Sequence, residues 1–422
     1  MTPISSYEEV AENLARTYIN FNPSKTLSHN SIFLIDQAAE NRGIAERSLK
    51  RQIDIGVNKW FLIGHRGSGK STFLRRVLAS SSVSDNYIPI LFRISDVVDM
   101  NDLGYQELLF AIAAQMVQYS DTESILSQAM RSRLDEWGRT VIDESSTEQK
   151  AGADVEGGIG AFFAKFLIKL QTQYTTRKQF RQQVEPQITD LINIIDDLSQ
   201  EIKMKTGKPP LIAIDDIDKA TISAAKNLFG AHWSSINSPK CFFIFTVPVS
   251  LMHEAEWQNI KDDCWNVPNV KIFGKGARGT PHSYGVETIK ELIFKRMRSR
   301  LISEDALDKA ILYGGGVLRQ TCILVQTASD RAEAEGASRI EISHMNLAIS
   351  EQTNSMIPQL TDADMSILIN VAQDNDSQIP FENPRLLHNL SLLLYPNSRH
   401  WHDVNPLLWS IVDEHRRKSL PR

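Results

Sequence analysis

Between Gly64 and Thr72 the chain reads Gly-His-Arg-Gly-Ser-Gly-Lys-Ser-Thr, and no other stretch restricts the fold so tightly. The apolar run Trp60-Phe61-Leu62-Ile63 precedes it, and the helix-like Thr72-Phe73-Leu74-Arg75-Arg76-Val77-Leu78 follows. Strand, glycine loop, helix is the setting in which a backbone cradles phosphate. Glycines permit the tight turn that points consecutive N–H groups inward, and the helix N-terminus adds partial positive charge behind them. Gly64, His65, Arg66, Gly67, Ser68, Gly69, Lys70, Ser71 and Thr72 are therefore the candidate nucleotide-binding residues. Lys70 is expected to reach the β- and γ-phosphates, and the Ser71 hydroxyl to hold Mg²⁺.

A second motif supplies carboxylates. Leu211-Ile212-Ala213-Ile214 ends in Asp215-Asp216-Ile217-Asp218, a buried strand with acids at its tip. After a glycine loop this matches a Walker B motif: Asp215 is the candidate metal-shell ligand, and Asp216 stands where a base or water-orienting carboxylate is needed. The next apolar run, Cys241 through Pro248, carries Thr246 near its end. Its hydroxyl suits the attacking water or the γ-phosphate; capping of its own backbone is the competing reading. ATP is the default nucleotide, since no guanine-reading Asn-Lys-x-Asp segment appears.

Composition narrows the class. A chain of 422 residues with 42% hydrophobic residues holds material for several cores. A net charge of −5 and a pI near 6.1 argue against a protein that coats nucleic acid. Cys241, Cys264 and Cys322 lack metal or disulfide spacing, which predicts a reducing, cytoplasmic setting. The N-terminal residues lack a signal-peptide layout, and no apolar run approaches the length of a membrane span.

The spacing of apolar residues divides the chain into regions. Residues 1–58 read as a helical lead-in, from Tyr7 to Leu14 and again over 32–53. Strands are expected at 60–63, 88–92, 211–214, 242–247 and 269–273, with helices between them and Pro89 suiting an edge strand. Such alternation predicts an α/β fold with a mostly parallel sheet, over residues 59–284. About residues 121–207 interrupt it: a polar loop at 139–157, then long amphipathic helices. These could form a projecting hairpin, although the apolar face over 159–170 is expected to pack on a neighbouring helix. Residues 285–353 read as all-helical, over 286–301, 306–313, 317–335 and 342–349. Residues 357–422 predict helices at 362–371 and 384–394, then a turn with strand-like flanks over 395–404, with Trp401 and Trp409 in the core.

The order of glycine loop, apolar strand ending Asp-Asp, polar-tipped strand and helical segment resembles AAA+ ATPases. It is most similar to the branch of origin-recognition and initiator-loader ATPases and the related STAND and KAP-type NTPases. Tyr313-Gly314-Gly315-Gly316-Val317-Leu318-Arg319-Gln320 resembles the lid's sensor-2 motif, which implies a γ-phosphate contact for Arg319. Ile340 through Ala348 resembles the last lid helix, and the C-terminal residues look like a shortened winged helix. Winged helices bind DNA, yet residues 357–422 carry eight acids against six bases, which favours protein docking.

Three departures bear on activity. The separation of Lys70 from Asp215 exceeds a compact core, which marks the 121–207 helices as an insertion. Asp216 stands where the family has Glu, withdrawing the carboxylate by roughly an ångström and predicting slow hydrolysis. Between His253 and Val270 there is no arginine finger, only Lys261; Arg278, Arg177 and Arg181 are the remaining candidates to act in trans. The resemblance thus implies an ATP- and Mg²⁺-dependent switch, a slow ATPase that assembles with a protein partner or with itself. By analogy alone, bacterial members of this branch serve mobile elements or anti-phage defence. The alternatives are an ATP-dependent DNA-binding loader or transposition-type regulator, and an ATP-binding scaffold without turnover.

Overall fold

The computed structural model describes residues 8–35, 42–54, 58–143, 158–276, 280–374, 383–395 and 400–419. Tyr7, most of the expected polar loop (144–157), Arg278 and the tip of the expected C-terminal turn (396–399) lie outside the described residues. The chain forms two compact units. One comprises Met1–Arg47, Gly64–Arg76 and Asn266–Arg422; the other comprises Ser48–Ile63 and Val77–Trp265.

The second unit is built on a sheet of five strands, β1 (Lys59–Gly64), β2 (Ile88–Arg93), β3 (Pro210–Asp215), β4 (Phe242–Pro248) and β5 (Cys264–Asn266), in the order β2-β3-β4-β1-β5. β2 runs parallel to β3 with Ile88 opposite Pro210, and β3 parallel to β4 with Leu211 opposite Phe242. Every residue of β3 is buried, which is why it reads as an unbroken apolar run rather than an alternation. Pro89 sits on the edge strand, where its missing N–H removes no central ladder bond. The architecture is the expected α/β, parallel-sheet P-loop core with helical additions.

The strand expected at 269–273 is not formed. The fifth strand is Cys264–Asn266, and Phe273 makes one antiparallel bridge to Pro281. The Val270 N–H is committed to the Gly316 carbonyl at 2.9 Å, so this backbone serves the Gly314-Gly315-Gly316 turn instead of a ladder. Cys264-Trp265-Asn266 is short and half-buried, and so carries no apolar signature.

The inserted helices, Gln128–Gly138, Gly158–Thr172, Tyr174–Val184 and Ile188–Thr206, do not stand clear as a hairpin. They lie against the sheet helix Tyr105–Thr122 through an aromatic cluster centred on Phe110. Its ring meets Phe163 at 5.5 Å, Phe166 at 5.6 Å, Phe180 at 5.2 Å and Trp137 at 6.0 Å. Phe163, Phe166, Leu167 and Leu170 are buried, so the apolar face of 159–170 packs internally. Gly207, at φ +78°, closes the last inserted helix in the left-handed conformation common after a helix end.

In the first unit the helices Ser283–Phe294, Glu304–Gly314, Leu318–Ala334 and Ile342–Met356 surround one apolar core. The N-terminal helix is short, Leu14–Asn20; residues 32–35, where a helix is expected, are not helical, and the next described helix is Arg42–Asp54. Phe21 and Phe33 flank the buried Arg296 guanidinium at 6.0 and 5.2 Å from their ring centres, and Arg296 donates to the Phe33 and Leu292 carbonyls.

The C-terminal segment holds the helix Asp362–Gln373, a single turn Arg385–His388, the antiparallel pair β6 (Leu392–Tyr395) and β7 (Trp401–Val404), and the helix Trp409–Ser419. The helix expected over 384–394 stops early. Leu390 takes φ +65°, and the Asn389 side chain accepts the Ser391 N–H at 3.1 Å, an Asx turn that converts helix to strand. Trp401 is buried and stacks on Tyr395 at 4.8 Å; Trp409 is half-buried and donates to the Val404 carbonyl. Among the described residues no helix is long and apolar enough to cross a membrane.

Phe110 is fully buried at the centre of its cluster. Phe110→Ala is expected to cost about 3–5 kcal/mol of stability through lost transfer and an unfilled cavity, read from the shift in urea midpoint.

Candidate functional site

The glycine loop begins where β1 ends. Within the first unit, Ser68 N–H donates to the His65 carbonyl at 3.1 Å to make the turn, and Phe73 N–H donates to Gly69 at 2.9 Å to start the helix Lys70–Leu78. Gly67 and Gly69 adopt φ of +83° and +95°, a region that favours glycine. The loop also meets the start of the helix Leu318–Ala334: Arg319 N–H donates to the Gly67 carbonyl at 3.1 Å. A Cβ on Gly67 would lie 2.5 Å from the Arg319 Cβ. Ser71 and Thr72 are half-buried in the first helical turn. This glycine-rich turn opening a helix fits a phosphate chain.

Each expected phosphate-binding cation has a defined partner. Lys70 Nζ donates to the Gly64 carbonyl at 2.8 Å and the His65 carbonyl at 2.9 Å. Arg319 Nε donates to the Pro23 carbonyl at 3.1 Å, so the N-terminal segment orients the expected sensor arginine.

The C-terminal segment also reaches the loop. His65 is buried, its Nδ1 3.2 Å from the Leu387 carbonyl and its Nε2 2.7 Å from the Leu394 N–H. An amide can only donate, so Nε2 is the acceptor and Nδ1–H the donor. Burial, then the Lys70 charge and His402 nearby, push the His65 pKa down to about 3, against the bond to Leu387. The ring is therefore neutral. Beside it the Arg66 guanidinium donates to His388 Nε2 at 2.8 Å. Nothing in the sequence signals these contacts, which join residues 322 or 329 positions apart.

In the second unit the expected carboxylates gather at the end of β3. One oxygen from each of Asp215, Asp216 and Asp218 lies within 4.8 Å of the others. Asp216 has φ +73°, and its N–H donates to Asp215 Oδ1 at 2.9 Å. Its Oδ2 accepts from Ser95 Oγ at 2.7 Å and pairs with Lys219 Nζ at 2.7 Å. Thr246 Oγ1 donates to Asp218 Oδ1 at 3.4 Å rather than capping its own backbone. Ser95, Lys219 and Asp218 thus complete the acidic group. Lys219 follows Asp216 by one turn of the 3₁₀ helix Ile217–Lys219, a spacing visible in the sequence; Ser95 is not signalled.

Two arginines considered for action in trans are held within their own unit. Arg177 is buried and bonds Asp99 at 3.0 Å, Asp102 at 3.2 Å and the Leu170 carbonyl at 2.8 Å. Arg181 bonds Glu107 at 2.6 Å and Asp102 at 3.0 Å. Burial raises the Glu107 pKa, and Arg181 opposes the rise.

The sequence matches no family model and no curated protein. Among solved structures, the chain is similar to Cdc6p from Pyrobaculum aerophilum, at 9% identity and a TM-score of 0.42, over 96% of this chain and 98% of that one. It is also similar to the Aeropyrum pernix ORC1 protein, solved in complex with DNA, at 11% identity and a TM-score of 0.41, over 94% and 98%. A third is the Thermotoga maritima RuvB Holliday junction branch migration motor, at 13% identity and a TM-score of 0.38, over 92% and 96%.

His65 generates a prediction about acid. Because its folded pKa is depressed from 6.5 to about 3, the unfolded chain binds the proton first. Its contribution is present above pH 6.5 and is lost as pH falls toward 3, by up to about 1.4 kcal/mol per pH unit. Urea unfolding across this range should show a steeper loss in the wild type than in His65→Gln; equal slopes would contradict the buried neutral ring.

Proposed function

We propose that this chain is an ATP-binding molecular switch of AAA+ type, with slow hydrolysis, whose nucleotide state governs assembly with a protein partner or with itself. The observation that carries this reading is the union of glycine loop and lid, in which the carbonyl of Gly67 accepts the backbone N–H of Arg319. A loop shaped for phosphate that bonds directly to the expected sensor helix has a route for turning nucleotide occupancy into lid position.

The loop amides from Gly64 to Thr72 would grip the phosphates, with Lys70 neutralising their charge. Ser71 and Asp215 would hold Mg²⁺, which supplies charge neutralisation and in-line geometry when bound. Asp216 would orient water, Thr246 would stand at the polar end of its strand, and Arg319 would sense the γ-phosphate. Asp216 is one methylene shorter than glutamate, and Ser95 and Lys219 already engage its carboxylate. Both features favour slow turnover.

That engagement also favours a second reading, a nucleotide-binding scaffold without turnover. Phosphate release from wild type beside Asp216→Ala separates the two: the switch predicts a wild-type rate clearly above the variant, and equal background rates support the scaffold. For binding, Lys70→Ala should weaken MgATP uptake in calorimetry by about tenfold or more, near 1.4 kcal/mol, and remove any nucleotide-dependent change of mass in light scattering. Wild-type affinity in that variant would refute the assignment of the loop.

A further inference from the structure

We propose that His65 fastens the C-terminal segment to the glycine loop, so that nucleotide uptake loosens this segment and its docking opposes uptake. The inference rests on the nucleotide-binding reading of the loop and specifies how that site is regulated.

A phosphate-gripping loop works through backbone amides, so the side chain at position 65 is not required for the grip. Here it is an imidazole with both nitrogens engaged by C-terminal main chain. Leu387 closes the turn Arg385–His388 and Leu394 lies on β6. The Leu394 N–H, which would otherwise sit on an open strand edge, is satisfied by a side chain from the loop. The adjacent pair repeats the connection, Arg66 to His388 at 2.8 Å. Tyr395, next to Leu394, donates to the Gly315 carbonyl at 2.7 Å, in the glycine turn that leads to Arg319. One short stretch of the C-terminal segment thus grips both the loop and the lid turn.

Lys70 gives this arrangement its sensitivity. Its ammonium donates to the carbonyls of Gly64 and His65, and those N–H groups are the ones a triphosphate would draw upon. Engagement of phosphate withdraws Lys70 from the His65 carbonyl and frees the residue whose ring carries Leu387 and Leu394. Losing either bond leaves a buried imidazole nitrogen or amide without its partner, which is costly, so small loop shifts become release of the segment. Linkage then requires the reverse effect, with docking weakening nucleotide affinity by the same factor.

The test is hydrogen exchange of peptides covering 391–395 in the full chain, with and without saturating MgATP, beside calorimetry on the same samples. In wild type, MgATP should accelerate Leu394 exchange by about fivefold or more, the lower range of site-to-site coupling. His65→Ala, which removes both bonds, should show fast exchange without nucleotide. His388→Ala, altered on the C-terminal side alone, should bind MgATP more tightly than wild type. Uptake of MgATP with unchanged Leu394 exchange would overturn the coupling while leaving nucleotide binding intact. Wild-type protection in nucleotide-free His65→Ala would show that His65 is not the fastener, whatever the nucleotide does. Absence of MgATP uptake by folded wild type would remove the nucleotide-binding reading, and the coupling with it.

Discussion

A side chain at position 67 has nowhere to go. The Cα of Gly67 faces the Arg319 Cβ so closely that an added carbon would fall 2.5 Å from it, and the Gly67 carbonyl is spent on the Arg319 amide. A bare, left-handed backbone at this point is what lets the loop turn and what lets the helix Leu318–Ala334 begin against it. Arg319, its N-terminal support at Pro23 and the glycine turn gripped by Tyr395 are all arranged around that contact.

Polar groups elsewhere in the first unit follow the same economy of buried hydrogen bonds. His65 is kept neutral by its surroundings and has a partner for each nitrogen. Arg296 is buried between two rings with two carbonyls on its guanidinium. Such groups contribute specificity of packing more than net stability, since removing one partner strands the other. The second unit pairs charges in the Arg177 and Arg181 network and gathers acids beyond β3, while its inserted helices pack on Phe110.

Much of this was legible in the sequence, for identifiable reasons. The glycine loop and the β3 run ending in Asp215 and Asp216 are local patterns, fixed by backbone conformation and burial within a few residues. Pro89 foretold an edge strand because a missing N–H is tolerated there. The helices over 306–313, 317–335 and 342–349 were readable from their apolar spacing, whereas the one expected over 286–301 stops at Phe294. What failed was non-local or short. Residues 269–273 are apolar like a strand, but Val270 spends its N–H on Gly316. Residues 384–394 look helical until the Asx turn at Asn389 and the positive φ of Leu390 intervene. The bonds of His65 to Leu387 and Leu394, and of Asp216 to Ser95, join distant positions through single atoms. No periodicity encodes them.

The central claim is that the loop amides read a chain of phosphates rather than a base or a sugar. Equilibrium titration of the full chain with ATP, ADP and AMP in the presence of Mg²⁺ tests it most directly. Affinity should follow phosphate number, with AMP weaker than ADP and ATP by orders of magnitude. Equal affinity for all three, or no uptake of any by folded protein, would contradict the account.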